Sequence, residues 1–153
     1  RRLMEGAIRP KLQRVDLSQL VTQQLFSYYD AFQQAEIDLD VDLYENLLLE
    51  TDSDIFDRIV QNMLSNVLKH GREVASIRLK KEGQKVIFQV KNKVQKPILH
   101  LDKLTNRLYS ENLSSSEESS GLGLYITQQL VEILGGDLTI QAKGDWFELI
   151  VAL

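Results

Sequence analysis

Apolar residues along the chain recur with two distinct periods, and the switches between them lay out the elements. Leu17, Leu20, Val21, Leu25, Tyr28 and Phe32 fall at helical spacing behind Asp16, which has Gln19 three residues on in a capping-box pattern. Residues 37–43 then alternate strictly, I-D-L-D-V-D-L, which predicts a strand with one wet face. Leu47 to Thr51 reads as a second short strand. Helical spacing returns from Asp52 to His70, with Phe56, Ile59, Val60, Met63, Leu64 and Val67 on one side and Gly71 as the residue that ends the helix. Ala75, Ile77 and Leu79 alternate, a turn at Glu82-Gly83-Gln84 follows, and Val86, Phe88 and Val90 alternate again, so a hairpin is expected. A helix over Leu122–Leu134 stops at Gly135-Gly136, and two last strands, 137–142 and 146–153, join at Lys143-Gly144-Asp145. The final strand, WFELIVAL, is apolar enough to lie inside a sheet. The elements add up to an α/β two-layer sandwich, a mixed sheet covered on one face by about three helices.

Two segments stand outside this pattern. Leu3, Met4, Ala7 and Ile8 have helical spacing that Pro10 interrupts, which suits the tail of a longer helix. Residues 93–120 show no clear period. Within them 110–120, SENLSSSEESS, has six serines in eleven residues and is expected to be mobile. A loop of that length inside a compact domain commonly serves as a lid.

Composition narrows the function. The 153 residues suit one domain, and a net charge of −4 without a long basic run argues against nucleic acid as a partner. With no cysteine there is neither a disulfide framework nor a cysteine zinc site. No apolar run approaches the ~18 residues of a membrane span, and the N-terminus lacks the apolar stretch of a signal peptide.

Two places carry candidate chemistry. At ~100° per residue, Arg58, Asn62, Asn66 and Lys69 fall within roughly 80° of one another, opposite the apolar stripe. An Asn oxygen is a hard, neutral ligand suited to Mg²⁺ already held by phosphates. The same residues also make an ordinary solvated face. The second place is Gly121-Leu122-Gly123-Leu124, opening a helix, where backbone N–H groups and the helix dipole favour an anion. No Gly-Lys-Ser/Thr follows and position 126 is Ile, so neither the Walker A loop nor the dinucleotide fingerprint is present.

In combination, DSDIFDRIVQNMLSNVLKHG (52–71) and SSGLGLYITQQLVEILGGDL (119–138) resemble the N box and second glycine box of the ATP-binding catalytic domain of bacterial sensor histidine kinases. That family lies within the wider ATPase superfamily of gyrase, heat-shock chaperones and mismatch-repair proteins. KLQRVDLSQLVTQQL (11–25) is similar to its lead-in segment, and TNRLY (105–109) to the F box of its lid, with Leu108 in place of the usual aromatic. The resemblance implies a Bergerat-type fold over 11–153 with an ATP lid at 93–120, and makes 1–10 the end of a dimerisation helix.

It also implies roles. Asn66 would hold Mg²⁺, Asn62 would face phosphate or metal, and Lys69 would contact phosphate. His70 sits where the family often has Tyr or Phe beside the nucleotide, although a histidine at a helix end is equally a dipole partner. Gly121 and Gly123 match the glycines whose backbone wraps the phosphates, with Ser120, Leu122 and Leu124 beside them, and Arg107 matches a lid contact to the γ-phosphate. The implied cofactors are ATP and Mg²⁺. The implied reaction is γ-phosphoryl transfer to a histidine outside this chain, on a dimerisation domain of the same membrane-anchored, homodimeric kinase, with a response regulator as further partner. The domain itself would be cytoplasmic and, alone, monomeric.

One departure stands out. None of the eight glycines lies between Gly83 and Gly121, where the family's first glycine box belongs, and Asn92 replaces the aspartate that accepts from the adenine amino group. An Asn oxygen still accepts that bond, while its NH₂ needs another partner. A degenerate, nucleotide-sensing or docking domain of the same fold is therefore a rival expectation. A serine kinase of the anti-sigma type is another, with the helical stub before Pro10 against it.

Overall fold

Side-chain caps start the first two helices. The structure, a computed structural model, describes residues 8–95 and 115–153, and of 115–123 the backbone alone. Helix α1 (Leu17–Gln34) begins where the Asp16 carboxylate accepts from the Gln19 N–H at 3.1 Å, as the capping pattern predicts. Helix α2 (Ser53–His70) begins where Asp52 accepts from the Ile55 N–H at 3.1 Å. Ahead of α1, a strand the hydrophobic pattern does not predict, β1 (Gln13–Asp16), pairs antiparallel with β3 (Leu48–Thr51). Its four residues, Q-R-V-D, are too few to display a period, and β3 supplies the pairing that defines it.

The remaining strands form one five-stranded sheet. In chain order they are β2 (Asp38–Leu43), β4 (Gly71–Glu82), β5 (Lys85–Val94), β6 (Asp137–Lys143) and β7 (Trp146–Ala152), and in space β2-β4-β5-β7-β6. β2 runs parallel to β4 and every other pairing is antiparallel, so the sheet is mixed. β7 lies between β5 and β6, where its apolar run belongs. α1, α2 and a third helix, α3 (Ser115–Ile133), cover one face.

Cross-strand register decides what meets the helices. Ile77, Val90 and Leu149 align across three strands, as do Leu79, Phe88 and Val151, and all six are buried. They pack under the stripe of α2, where Phe56, Ile59, Val60, Met63 and Leu64 have no exposed area. Phe56 and Phe88 meet edge-on, with ring centroids 6.0 Å apart.

Two expectations about glycines change. Gly71 does not cap α2 in a left-handed conformation; its φ is −82° and it is already the first residue of β4. It is glycine for want of space: a Cβ there would lie 2.6 Å from the Val67 carbonyl oxygen and 3.2 Å from Asn92 Nδ2. The third helix starts at Ser115 rather than Leu122, so the second half of the serine-rich stretch is helical, not a mobile loop. Ser and Glu cost only a few tenths of a kcal/mol per residue relative to Ala in a helix. Gly121 and Gly123 cost about 1 kcal/mol each, so the backward extension rests on the later turns already being fixed by packing rather than on propensity. The lid expected at 93–120 falls mostly on 96–114, outside the described residues.

Candidate functional site

The polar face of α2 is not uniformly wet. Arg58 and Lys69 are exposed and Asn62 is half-buried, but Asn66 is only 8% exposed. Asn62 and Asn66 stand one turn apart, about 6 Å along the axis. A solvated face would leave both carboxamides in water. Here Asn66 is nearly buried, and a buried carboxamide must satisfy its polar atoms. Lys69 and His70 occupy the last turn of α2, where the helix dipole favours positive charge.

The end of α2 is tied to the strand that carries Asn92. The Gln95 N–H donates to the His70 carbonyl at 3.0 Å, and Gln95 Nε2 donates to the Gly71 carbonyl at 3.2 Å. Arg72 Nε donates to the Val94 carbonyl at 3.0 Å, and its guanidinium also pairs with Asp145 at 2.8 Å. The chain therefore leaves β5 pinned beside the Asn-bearing helix. Asn92 is 2% exposed, and its Nδ2 donates to the Lys93 carbonyl at 2.9 Å. That bond occupies an amide donor that a carboxylate would not have. With Nδ2 turned to the Lys93 carbonyl, Oδ1 is the acceptor end of the same side chain.

Among the described residues the buried polar side chains are Thr51, Asp52, Asn66, Asn92 and Thr127. Three of these, Asn66, Asn92 and Thr127, sit on α2, β5 and α3, and α2 packs against both of the other elements. Thr127 was hidden in the sequence because it follows Leu124, Tyr125 and Ile126 and reads as part of an apolar run. Asp52 was legible as the start of α2 but not as a clamp. Its Oδ2 also accepts from the Lys11 N–H at 2.7 Å, tying the lead-in segment to the first turn of α2. Burial alone would raise the Asp52 carboxyl. The backbone N–H groups of Lys11, Ile55 and Asp54, helped by the Lys11 ammonium, outweigh it and hold the carboxyl below its usual range.

The glycine pair departs from expectation. Gly121 and Gly123 lie beyond the first turn of α3, not at its N-terminus. Backbone N–H groups in a helix interior are committed to carbonyls four residues back, so in this arrangement they do not present an anion site. Leu124 is buried in the core. The side chains of Ser120 and Leu122 are outside the described residues, as is all of Arg107 and the rest of 105–109. No cluster of three or more acidic, His or Cys side chains suited to a metal occurs among the described residues. No described helix is long and apolar enough to cross a membrane.

Known proteins resemble this chain in sequence and in fold. The sensor histidine kinase YcbM of Bacillus subtilis (strain 168) is 28% identical over 137 residues, covering 85% of this chain and 44% of its own length. The circadian input-output histidine kinase CikA of Synechococcus elongatus is 31% identical over 134 residues, covering 82% of this chain and 18% of its own length. The chain thus spans less than half of either relative. In structure it is similar to the nucleotide-free catalytic domain of the histidine kinase ThkA, with a TM-score of 0.80 at 19% identity over 94% of this chain and 95% of that one. ThkA in complex with the response regulator protein TrrA gives a TM-score of 0.76 at 19% identity, over 94% of this chain and 42% of that one. Residues 51–153, from the Asp52 cap through the final strand, match the histidine kinase-, DNA gyrase B- and HSP90-like ATPase family. The chain belongs to that family, as an ATP-binding catalytic domain of the sensor histidine kinase type.

Proposed function

We propose that this domain binds ATP with Mg²⁺ along the polar face of α2 and delivers the γ-phosphate to a histidine on a separate phosphoacceptor and dimerisation domain of the same kinase. The observation that carries the proposal is Asn66, a nearly buried carboxamide on a face whose neighbours Arg58 and Lys69 stay in water. The donor set fits a metal that arrives with its nucleotide. Neutral Asn oxygens, with no acidic cluster among the described residues, suit Mg²⁺ already held by phosphate oxygens. Asn66 is assigned to the metal, Asn62 to metal or phosphate, and Lys69 to phosphate. His70 and the Asn92 acceptor flank the base, with the Asn92 oxygen taking the adenine amino hydrogen bond. Arg107 is assigned to the γ-phosphate.

Gly121 and Gly123, with Ser120, Leu122 and Leu124, form the phosphate-facing segment when α3 begins near them. Each interior glycine costs a helix about 1 kcal/mol relative to alanine, so the first turns of α3 are the cheapest to unwind when an anion claims those N–H groups. Mg²⁺, when bound, neutralises charge on the phosphates. The protein's share is positioning and charge. Lys69 draws off developing charge as the bond from the γ-phosphorus to the bridging oxygen breaks, ADP departs, and a phosphorus–nitrogen bond to the acceptor imidazole forms. The acceptor, and the base that takes its proton, belong to another part of the kinase. A response regulator as further partner is supported by the likeness to ThkA, which has been captured with one. Membrane anchoring and a homodimeric whole kinase are part of the same proposal.

The test is titration of a non-hydrolysable ATP analogue, with and without Mg²⁺, into wild type and Asn66→Ala. Mg²⁺-assisted binding weakened by about tenfold or more in the variant is expected, since one ligand interaction is worth on the order of 1.4 kcal/mol or more. No binding by wild type at millimolar analogue would overturn it. A second reading, a nucleotide-sensing or docking domain without kinase activity, is motivated by Asn92 and by the absence of glycines between Gly83 and Gly121. Full-length kinase that binds the analogue yet forms no acid-labile phosphate with ATP would favour that reading.

A further inference from the structure

Exposed acidic and aromatic side chains meet where β2 begins beside Tyr29 of α1. β2 is an edge strand: β4 pairs with it on one side, and among the described residues nothing pairs with the other. Register puts Asp38, Asp40 and Asp42 on the face of the sheet that the helices leave bare, level with Val74, Ser76 and Arg78. Asp40 is engaged by Arg78 at 2.7 Å, and among the described ion pairs Asp38, Asp42 and Glu36 have none. On the other face of the same strand, Val41 is 44% exposed although it is level with the buried Ile77.

Beside the start of β2 lies a hollow of about 660 Å³ lined by Tyr29, Gln33, Glu36, Asp38 and Leu39 among others. Tyr29 is 53% exposed and its hydroxyl accepts from Gln33 Nε2 at 2.6 Å, which holds the ring at the rim. One turn back on the same side of α1, Phe26 is 77% exposed. Charge alone on an edge strand is a device against aggregation. Exposed aromatic and branched side chains next to that charge work against such a device and need another explanation.

We propose that the outer edge of β2, with the hollow at Tyr29 and Asp38, docks an extended basic segment of a partner protein. The segment adds alongside β2 through main-chain hydrogen bonds. Alternate cationic residues meet Asp38 and Asp42 on the bare face, and the intervening apolar residues lie over Val41, Leu39 and the Tyr29 ring. Charge selects this occupant over a second copy of the chain. Pairing two β2 edges would set aspartates against aspartates, and like charges directly opposed are destabilising.

The test uses the folded domain and an acetylated, amidated hexapeptide of alternating lysine and valine, with a glutamate–valine hexapeptide as control. Amide chemical-shift changes are expected for residues 36–43 and for α1 near Phe26 and Tyr29, with binding that weakens as salt rises. The double substitution Asp38→Lys/Asp42→Lys is expected to weaken binding by about tenfold or more through charge reversal. Tyr29→Ala is expected to weaken it without changing the salt dependence. Circular dichroism of each variant checks the fold. Equal affinity of wild type and the double-lysine variant, equal binding of the acidic peptide, or shifts elsewhere on the molecule would each overturn the proposal. So would no binding at millimolar peptide, and so would dimerisation of the free domain through β2 in sedimentation.

Discussion

Asn92 stands where the resemblance leads one to expect an aspartate, and its surroundings explain why an amide suits the position. The Nδ2 group donates to the Lys93 carbonyl at 2.9 Å and lies against Gly71, where even a methyl group would find no room. A carboxylate there would face a carbonyl oxygen with no proton between them. Asn92→Asp is therefore expected to lower stability by about 1–3 kcal/mol at neutral pH, the usual cost of an unmade buried hydrogen bond. Burial and the facing carbonyl would raise that carboxyl in the folded state, so the penalty should ease as pH falls through its raised value and the acid proton restores a donor. Thermal unfolding of both proteins at pH 7 and pH 4 checks this. A variant as stable as wild type at pH 7 would mean that the Lys93 carbonyl does not orient the amide.

At the scale of elements, Asp52 links α2 to the chain that precedes β1. One carboxylate oxygen caps the helix through Ile55, and the other takes the Lys11 N–H at 2.7 Å. Asp52→Ala should cost about 1–2 kcal/mol, the upper part of the range for a lost cap. The carboxyl is held below its ordinary value in the folded state, so its contribution is complete above about pH 4 and is lost as pH falls through the folded value. Urea unfolding should accordingly show a wild-type advantage at pH 7 that narrows at pH 3. An advantage that is constant across this range would assign the effect to packing instead. α3 illustrates the opposite case: its two interior glycines weaken its early turns, and its C-terminal end is fixed by Gly135, whose φ of 78° few other residues adopt.

For the whole molecule, one helix-facing core holds every described part of the site in place. Phe88 lies at its centre, fully buried between the α2 ring of Phe56 and the partners of β4 and β7. Phe88→Ala should cost roughly 3–5 kcal/mol, the range for an aromatic removed from a close-packed core. Because α2 and the sheet share that core, secondary and tertiary signals should still be lost in a single transition. Separate far- and near-ultraviolet circular dichroism midpoints for the variant would show instead that α2 and the sheet unfold independently.

Hydrophobic period, with the capping pattern at Asp16, determined most of the elements, the β4–β5 hairpin and the interior place of β7, because each rests on spacing within a few residues. It also put Asn62, Asn66 and Lys69 on one face of α2, since a helix fixes that from sequence positions. Tertiary structure decided the rest. Four residues become β1 only because β3 lies beside them, and Gly71 is small because Val67 and Asn92 converge on it. α3 extends back to Ser115 because its later turns are already packed. The contrast between a buried Asn66 and an exposed Lys69, three residues apart on the same polar face, likewise depends on what surrounds α2. Local spacing sets which way a side chain points; distant segments of the chain set whether it meets water, a neighbour or a ligand.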